Sequence, residues 1–469
     1  MRRATGISVL RAAAWPALLA LVLLLVACAP STVVPDLPKD LPNAWSHAEP
    51  GSSAAKAPAL DAWWKAFQDP ALDELIFEAQ RGNLTLQMAS DKLRAARLLR
   101  HRSRADFWPN LNFRVYPETA PGGSTGYLEM GFDSTWELGL FGRSTGNARM
   151  NAADANVALI DEAAARISVV AEVARTYVDL CAARARLRLA EEIAAARRRQ
   201  YDLAQTRLSL HIGSSAEANR AGTEWRAAKS DVTDAAIPIA ESEAALSVLL
   251  GVQPAATNLP ATAAVPTLDA IVVSEPPADL VRTRPEIRHA EQNVLRAAGE
   301  LGVARADLYP RFSIIGTLIS STALTGDVDH PNKAVPLIGP AITLPIIDWH
   351  ARRAVVGARE AALDAAVLAY REAVLEGAAE VETALARSQA KTTLLADAND
   401  AVDSAARAGA IAARSREIGL IDDGELTTAR IALSQAQLQR LQAQRERALA
   451  YIALYKALGG SMPQMVAAP

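Results

Sequence analysis

The sequence predicts a mainly helical chain with four β-strands, built as two tandem copies of one unit. Three observations lead there. Short motifs recur at a nearly constant offset: Arg104-Ala105-Asp106-Phe107-Trp108-Pro109 returns as Arg305-Ala306-Asp307-Leu308-Tyr309-Pro310, Ala171-Glu172-Val173 as Ala379-Glu380-Val381, Ile212-Gly213 as Ile418-Gly419, and Leu250-Gly251 as Leu458-Gly459. A period of roughly 200 residues is too long for a solenoid unit and marks a duplication, with two similar halves around a pseudo-axis. Apolar residues also recur every seven positions along very long proline-poor stretches, as in coiled-coil seams. Finally, each half holds segments alternating apolar and polar, the period of a half-buried strand. Strands at one end and long rods at the other describe a tubular object.

The chain starts with Arg2 and Arg3, then an apolar run from Ala17 to Val26 that closes on Leu25-Val26-Ala27-Cys28. Residues 1–27 have the layout of a secretory signal, and the apolar run is short for a membrane span. A small residue before Cys resembles the bacterial lipobox, which makes Cys28 a lipidation site carrying diacylglyceryl and N-acyl chains; an ordinary signal with an incidental Cys is the alternative. By resemblance to the usual sorting pattern, Ala29 after that Cys favours the outer membrane. Two or more acyl chains anchor a protein durably. Residues 28–60 are Pro-rich and read as a lipidated tether. The other cysteine, Cys181, has no partner and reads as a small core residue.

The first repeat spans 61–251, with a β-hairpin over about 110–140. Leu111, Phe113 and Val115 alternate with Asn110, Asn112 and Arg114. Leu128, Met130, Phe132, Trp136, Leu138 and Leu140 share one face, and Glu129, Asp133 and Glu137 the other. A Gly-rich loop, Thr119 to Gly126, turns between them. Arg143 to about Ser209 contains no Pro, and at about 1.5 Å per residue it makes a rod of roughly 100 Å. Ile160, Ile167, Ala174 and Cys181 lie seven apart, and so do Trp225, Val232, Ile239 and Leu246 in the next helix. Pro238 falls inside that helix and is expected to kink it.

Residues 252–283 form a Pro-rich linker. The second repeat, 284–460, has its hairpin over about 311–346, with Phe312, Ile314 and Leu318 on one strand and Ile338, Ile342, Leu344 and Ile346 on the next. Its helices run from Ala351 to about Glu417 and from Asp423 to about Leu458. A short tail, 461–469, ends the chain. Gly213 and Gly419 suit helix C-terminal positions of positive φ.

Half of the 469 residues are hydrophobic and the net charge is -3, which argues against nucleic-acid binding. After residue 30 there is no run of 18 apolar residues. A chain bound for the outer membrane then stays peripheral or crosses as a barrel. Four strands are too few to enclose water, since small membrane barrels need about eight. If these strands meet lipid, several chains build one barrel; a soluble sheet with one buried face is the alternative.

The sequence also resembles a known family. Trp64-Lys65-Ala66-Phe67-Gln68-Asp69-Pro70, Trp136-Glu137-Leu138-Gly139-Leu140-Phe141-Gly142-Arg143, Arg284-Pro285-Glu286-Ile287-Arg288, Gly302-Val303-Ala304-Arg305-Ala306, Leu344-Pro345-Ile346-Ile347-Asp348 and Leu454-Tyr455-Lys456-Ala457-Leu458-Gly459-Gly460 match, in order, the outer-membrane efflux proteins. These are TolC-like exit ducts, here of the NodT and OprM lipoprotein type. The resemblance implies a homotrimer with a twelve-stranded barrel and a long α-helical periplasmic tunnel. Its helical tips would dock on a periplasmic adaptor, which links to an inner-membrane pump. It implies passive efflux of small molecules through the outer membrane of a Gram-negative bacterium, with no enzyme activity and no cofactor. A protein-secretion duct of the same fold and a non-conducting periplasmic lipoprotein are the alternatives.

Candidate sites follow. If the apolar strand face meets lipid, Glu129, Asp133 and Glu137 line the lumen and bias it toward cations. Trp108, Trp136 and Tyr309 form an interfacial belt or pack where barrel meets helices. The first tip holds Arg207, Leu208, Ser209 and Gly213, the second Gly419; all are candidates for adaptor docking. In relatives the second tip carries the acidic constriction, so Asp422, Asp423 and Glu425 are gate candidates, secured by Arg414 or Arg416. Capping of the following helix is the alternative for the two aspartates. The family's Asp-x-Leu-Asp-Ala pattern is here Gly424-Glu425-Leu426-Thr427-Thr428-Ala429. Gly122-Gly123-Ser124-Thr125-Gly126 mimics a hydrolase elbow but sits in a hairpin loop. The six His show no metal-ligand spacing; His211, beside the first tip, is either a surface residue without a role or a pH sensor.

Overall fold

In the computed structural model, residues 35–37, 45–46, 62–105, 107–119, 126–254, 264–268, 283–323 and 335–459 are described. The signal segment, Cys28, most of the tether and inter-repeat linker, the C-terminal tail, both hairpin loops and Ser124 lie outside them. A 3₁₀ turn, Trp63–Phe67, is the first element among the described residues. It is followed by α1 (Pro70–Gly82), α2 (Leu84–Ala105), β1 (Asn110–Thr119), β2 (Gly126–Glu137), α3 (Arg143–Ser209) and α4 (Ser215–Leu250). The second half holds α5 (Pro285–Ala306), β3 (Arg311–Ala323), β4 (Val335–Thr343), α6 (Trp349–Glu417) and α7 (Asp423–Ala457).

The expected seams are buried in part, with Ile167, Trp225, Val232 and Ile239 only half-buried. Ile160, Ala174 and Cys181 on α3, Ala228, Ala235 and Leu246 on α4, and Ile431, Leu441, Ala448 and Ile452 on α7 are all buried. Small residues let these helices approach closely. Where α3 crosses α5, a Cβ on Gly146 would stand 2.8 Å from the Gly299 carbonyl oxygen, and one on Gly299 would stand 2.8 Å from that of Gly146. The buried amides Asn156 and Gln292 hydrogen-bond at 3.0 Å across the same crossing. The helix α4 runs continuously from Ser215 to Leu250 across Pro238.

One aromatic cluster fastens the N-terminal turn to the C-terminal helix. Trp63 stacks on Tyr455 with centroids 5.8 Å apart, Phe67 meets Tyr451 edge-on, and the Tyr451 hydroxyl donates to the Trp63 carbonyl at 3.0 Å. Asp69 caps α1 by accepting from the Ala71 N–H, and its other oxygen accepts from the Tyr177 hydroxyl at 2.8 Å. Burial pushes the Tyr455 hydroxyl up to about 12 and the Cys181 thiol up to about 11, so both stay neutral core groups. Two family motifs are structural parts of this region. Arg284 is buried; it donates to the Gly377 carbonyl at 3.0 Å and pairs with Glu380, tying the start of α5 to α6. Gly459 leaves room for it, since a Cβ there would lie 2.8 Å from the Arg284 Cα.

The helices lie side by side as an open layer. Away from the sheet, α4 packs on α3, α3 on α7 and α7 on α6. Near the sheet, α2 packs on α3, α3 on α5 and α5 on α6. The sheet continues that layer: it is antiparallel, in the order β1-β2-β3-β4, so the two repeats join through β2 and β3. Among the described helices and strands the layer has two edges at every level: β1 and β4, α2 and α6, and α4 and α6.

Candidate functional site

The register sorts the sheet into two faces. Phe113 stands opposite Phe132, Phe132 opposite Leu318, and Phe312 opposite Ile342, so these share a face with Leu111, Val115, Met130 and Ile338. That face is apolar yet uncovered: Leu111 is 69 % exposed and Ile338 82 %. An apolar surface of this size that none of the described residues covers marks an interaction surface. Strands of 9–13 residues match the length that crosses a bilayer with tilt.

Glu129, Asp133 and Glu137 share the opposite face with Asn112, Arg114, Ser313 and Thr317. The sequence supplied the acids but not their partners. Arg114 pairs diagonally with Asp133 at 2.8 Å, and Arg143 reaches Glu137 at 3.2 Å. Among the described residues Glu129 alone of the three has no ion-pair partner. At the base of this face Asp307 gathers Arg143, Arg311 at 2.7 Å and Arg352 at 4.0 Å. The signal for that hub was present in the sequence: Asp307 is the acidic residue of the repeated Arg-Ala-Asp motif, placed between α5 and β3.

Both hairpins end short of the ranges read from the sequence. Strand β2 ends at Glu137; Leu138 adds one last ladder bond to β3, and Leu140 lies in the turn that follows. Gly139, Phe141 and Gly142 there take φ of 57°, 57° and 89°. A Cβ on Gly139 would meet the Phe107 ring at 2.6 Å, and Phe141 is buried against Tyr309 with stacked rings 5.0 Å apart. In the second repeat β4 ends at Thr343, so Leu344 and Ile346 lie beyond the strand. The three candidate belt aromatics divide. Trp108 is 71 % exposed, Trp136 donates its indole N–H to the Phe107 carbonyl at 2.8 Å, and Tyr309 packs inside the neck.

At the far end the two tips meet. Asp422 is both cap and tie: one oxygen accepts from the Glu425 N–H at 2.9 Å, and the other pairs with Arg207. That bond joins the first repeat to the second. Asp423 takes Arg416 at 2.7 Å, whereas Arg414 reaches only its neighbour Glu417 at 3.9 Å. Of the two arginines expected beside the acids, Arg416 pairs with one of them and Arg414 does not, and Arg207, read as a docking residue, makes the cross-repeat bond. The Glu425 N–H, with Arg207, lowers the Asp422 carboxyl from its usual range; Arg416 does the same for Asp423. Gln200 and Thr428 add a second bridge at 3.0 Å. Positive φ falls on His211 (62°) and Gly419 (78°), not on Gly213. Gly213 is required by space instead, because a Cβ there would sit 2.9 Å from that of Arg207. Leu210, Ile212, Ile418 and Leu420 project outward, each more than 60 % exposed.

Among the described residues there is no cluster of His, Cys, Asp or Glu placed to hold a metal, and no helix long and apolar enough to cross a membrane.

An open wall with an apolar sheet face at one end and paired helix tips at the other defines a segment of a duct. The chain belongs to the outer membrane efflux protein family, whose profile it matches over residues 75–252 and 277–460. It is 28% identical over 430 residues to a probable efflux pump outer membrane protein, TtgC, of Pseudomonas putida, covering 88% of this chain and 87% of that one. It is 27% identical to the outer membrane protein OprJ of Pseudomonas aeruginosa, over 94% of each chain. It is 26% identical to nodulation protein T of Rhizobium leguminosarum bv. trifolii, over 90% and 92%. Among solved structures, the outer-membrane channel OprN superposes with a TM-score of 0.77 at 26% identity, covering 92% of this chain and all of that one. The Campylobacter jejuni CmeC outer membrane channel shares the fold, with a TM-score of 0.80 at 19% identity over 94% and 96%. The protein is thus an outer-membrane efflux protein of the TolC-like fold.

Proposed function

We propose that three copies close the wall into one passive exit duct: a twelve-stranded barrel in the outer membrane, continued by an α-helical tunnel into the periplasm. The observation that carries this is the set of matched free edges. Leu368 and Leu375, seven residues apart on α6, are 63 % and 65 % exposed; Leu98 on α2 is 65 % exposed, and Ile237 on α4 54 %. Apolar seams left open on both edges of one layer are closed by neighbouring copies of the same layer. Lipid then meets the apolar sheet face, and Glu129, Asp133 and Glu137 face water in the lumen. With Asp133 and Glu137 already paired, the cation bias rests mainly on Glu129.

In this reading Asp422, Asp423 and Glu425, with Arg207 and Arg416, form the periplasmic gate. Closure is held by the bond between repeats, not by a ring of bare acids, which would repel. The exposed apolar residues around Gly213 and Gly419 receive a periplasmic adaptor, through which an inner-membrane pump supplies the energy. Acyl chains on Cys28 tether the trimer to the outer membrane. The duct needs no cofactor and performs no bond chemistry. Its cargo is small organic compounds, in keeping with relatives named for antibiotic and toluene efflux. Reconstitution in a planar bilayer tests this: the trimer gives discrete single-channel steps, and a well-folded trimer that passes no current, even with Arg207 and Asp422 both neutralised, contradicts it.

A further inference from the structure

The hydrogen-bonding direction of each strand can be fixed from two contacts. The Leu138 N–H donates to the Phe312 carbonyl at 3.1 Å, and these two residues continue the β2–β3 register. In an antiparallel ladder, directly opposed residues that exchange bonds alternate with residues whose N–H and C=O point to the other side. Even-numbered residues of β2 and β3 therefore face each other, and odd-numbered residues of β3 face β4. The Thr135 N–H, donating toward β1 to the Asn110 side chain at 2.7 Å, agrees.

Carried across the registers, this leaves Leu111, Phe113, Val115 and Pro117 pointing out of the β1 edge. Pro336, Ile338, Pro340 and Ile342 point out of the β4 edge. The two edges run antiparallel, because each intervening strand reverses direction. The outward residues of both also lie on the same apolar face. They are in phase: joining β4 of one copy to β1 of the next continues the ladder and keeps every apolar side chain on one side. The β4 edge is nonetheless donor-poor, because Pro336 and Pro340 have no N–H and only Ile338 and Ile342 can give one; on the β1 edge Pro117 alone of the four lacks one.

We propose that Pro336 and Pro340 make the joint between this edge and β1 of the next copy the weakest seam of the closed sheet. The proline edge discourages pairing with foreign strands before assembly. It leaves the trimer to be held mainly by helix edges and apolar packing. This rests on the trimeric duct proposed above and adds where its wall parts first.

The test is the temperature at which detergent-solubilised trimers dissociate, with oligomeric state confirmed by mass beforehand. Pro340→Thr and Pro336→Thr each return an outward N–H at three symmetric joints. The expected result is a rise on the order of 5 °C, together with an unchanged trimer mass. Ile338→Pro removes a remaining donor and should lower the dissociation temperature. A trimer whose dissociation temperature is unmoved or lowered by both threonine variants overturns the seam assignment and leaves the duct intact. A wild-type protein that never forms trimers overturns the reading beneath it.

Discussion

Helices α3 and α6 are the same element in two copies, 67 and 69 residues long, yet they live in different surroundings. Twenty-three residues of α3 are buried against eight of α6. The difference is position: α3 lies inside the layer, touching α2, α4, α5 and α7, whereas α6 lies at its edge. Duplication supplied two similar rods, and assembly left one a finished core and the other half of an interface. A helix whose apolar residues stay open on one side is a statement about what it meets next.

That comparison is broken most severely by charging the core rod. Leu180 is 0 % exposed at the centre of α3, and an unpaired buried carboxylate is strongly destabilising. Leu180→Asp should yield no folded protein, seen as loss of the cooperative thermal transition by circular dichroism. On α6 the equivalent insult should act differently. The double variant Leu368→Asp with Leu375→Asp should keep the helical signal but give monomers by light scattering. Next in size is the α3–α5 crossing. Gly299→Val forces apart two backbones already in contact and should cost about 1–3 kcal/mol, read as a lowered melting temperature.

The tip effects are smaller in stability and larger in conductance. Arg207→Ala with Asp422→Asn removes the bond between repeats and should raise single-channel conductance, whereas Arg414→Ala should not. The pH dependence follows from the depressed carboxyls of Asp422 and Asp423. Such groups stabilise above their unfolded pKa, about 3.9, and lose that contribution as pH falls through the lower folded value. Conductance should therefore be insensitive to pH between 5 and 8 and rise only below about pH 4. An opening near pH 6 would contradict the assignment of control to these two carboxylates.

Much of this architecture was legible because long periodic signals survive local noise. The seven-residue spacing of Ile160, Ala174 and Cys181 marked a buried stripe, and the alternation around Phe132 marked a strand. What could not be read was pairing between distant segments. Nothing local says that Arg207 meets Asp422 rather than Arg414 doing so, or that Arg114 shields Asp133. Those contacts depend on how two copies of the unit are laid together. The left-handed conformation at His211 was hidden for a related reason. Glycine is the usual signal for positive φ, and at the first tip the glycine two residues on is demanded by the Arg207 side chain instead.

The central claim is that one chain is an open wall and needs copies of itself to enclose water. The mass of the detergent-extracted particle, measured by native mass spectrometry, tests it most directly. The account predicts three copies in one particle. A stable, folded single chain with its sheet edges free would contradict it.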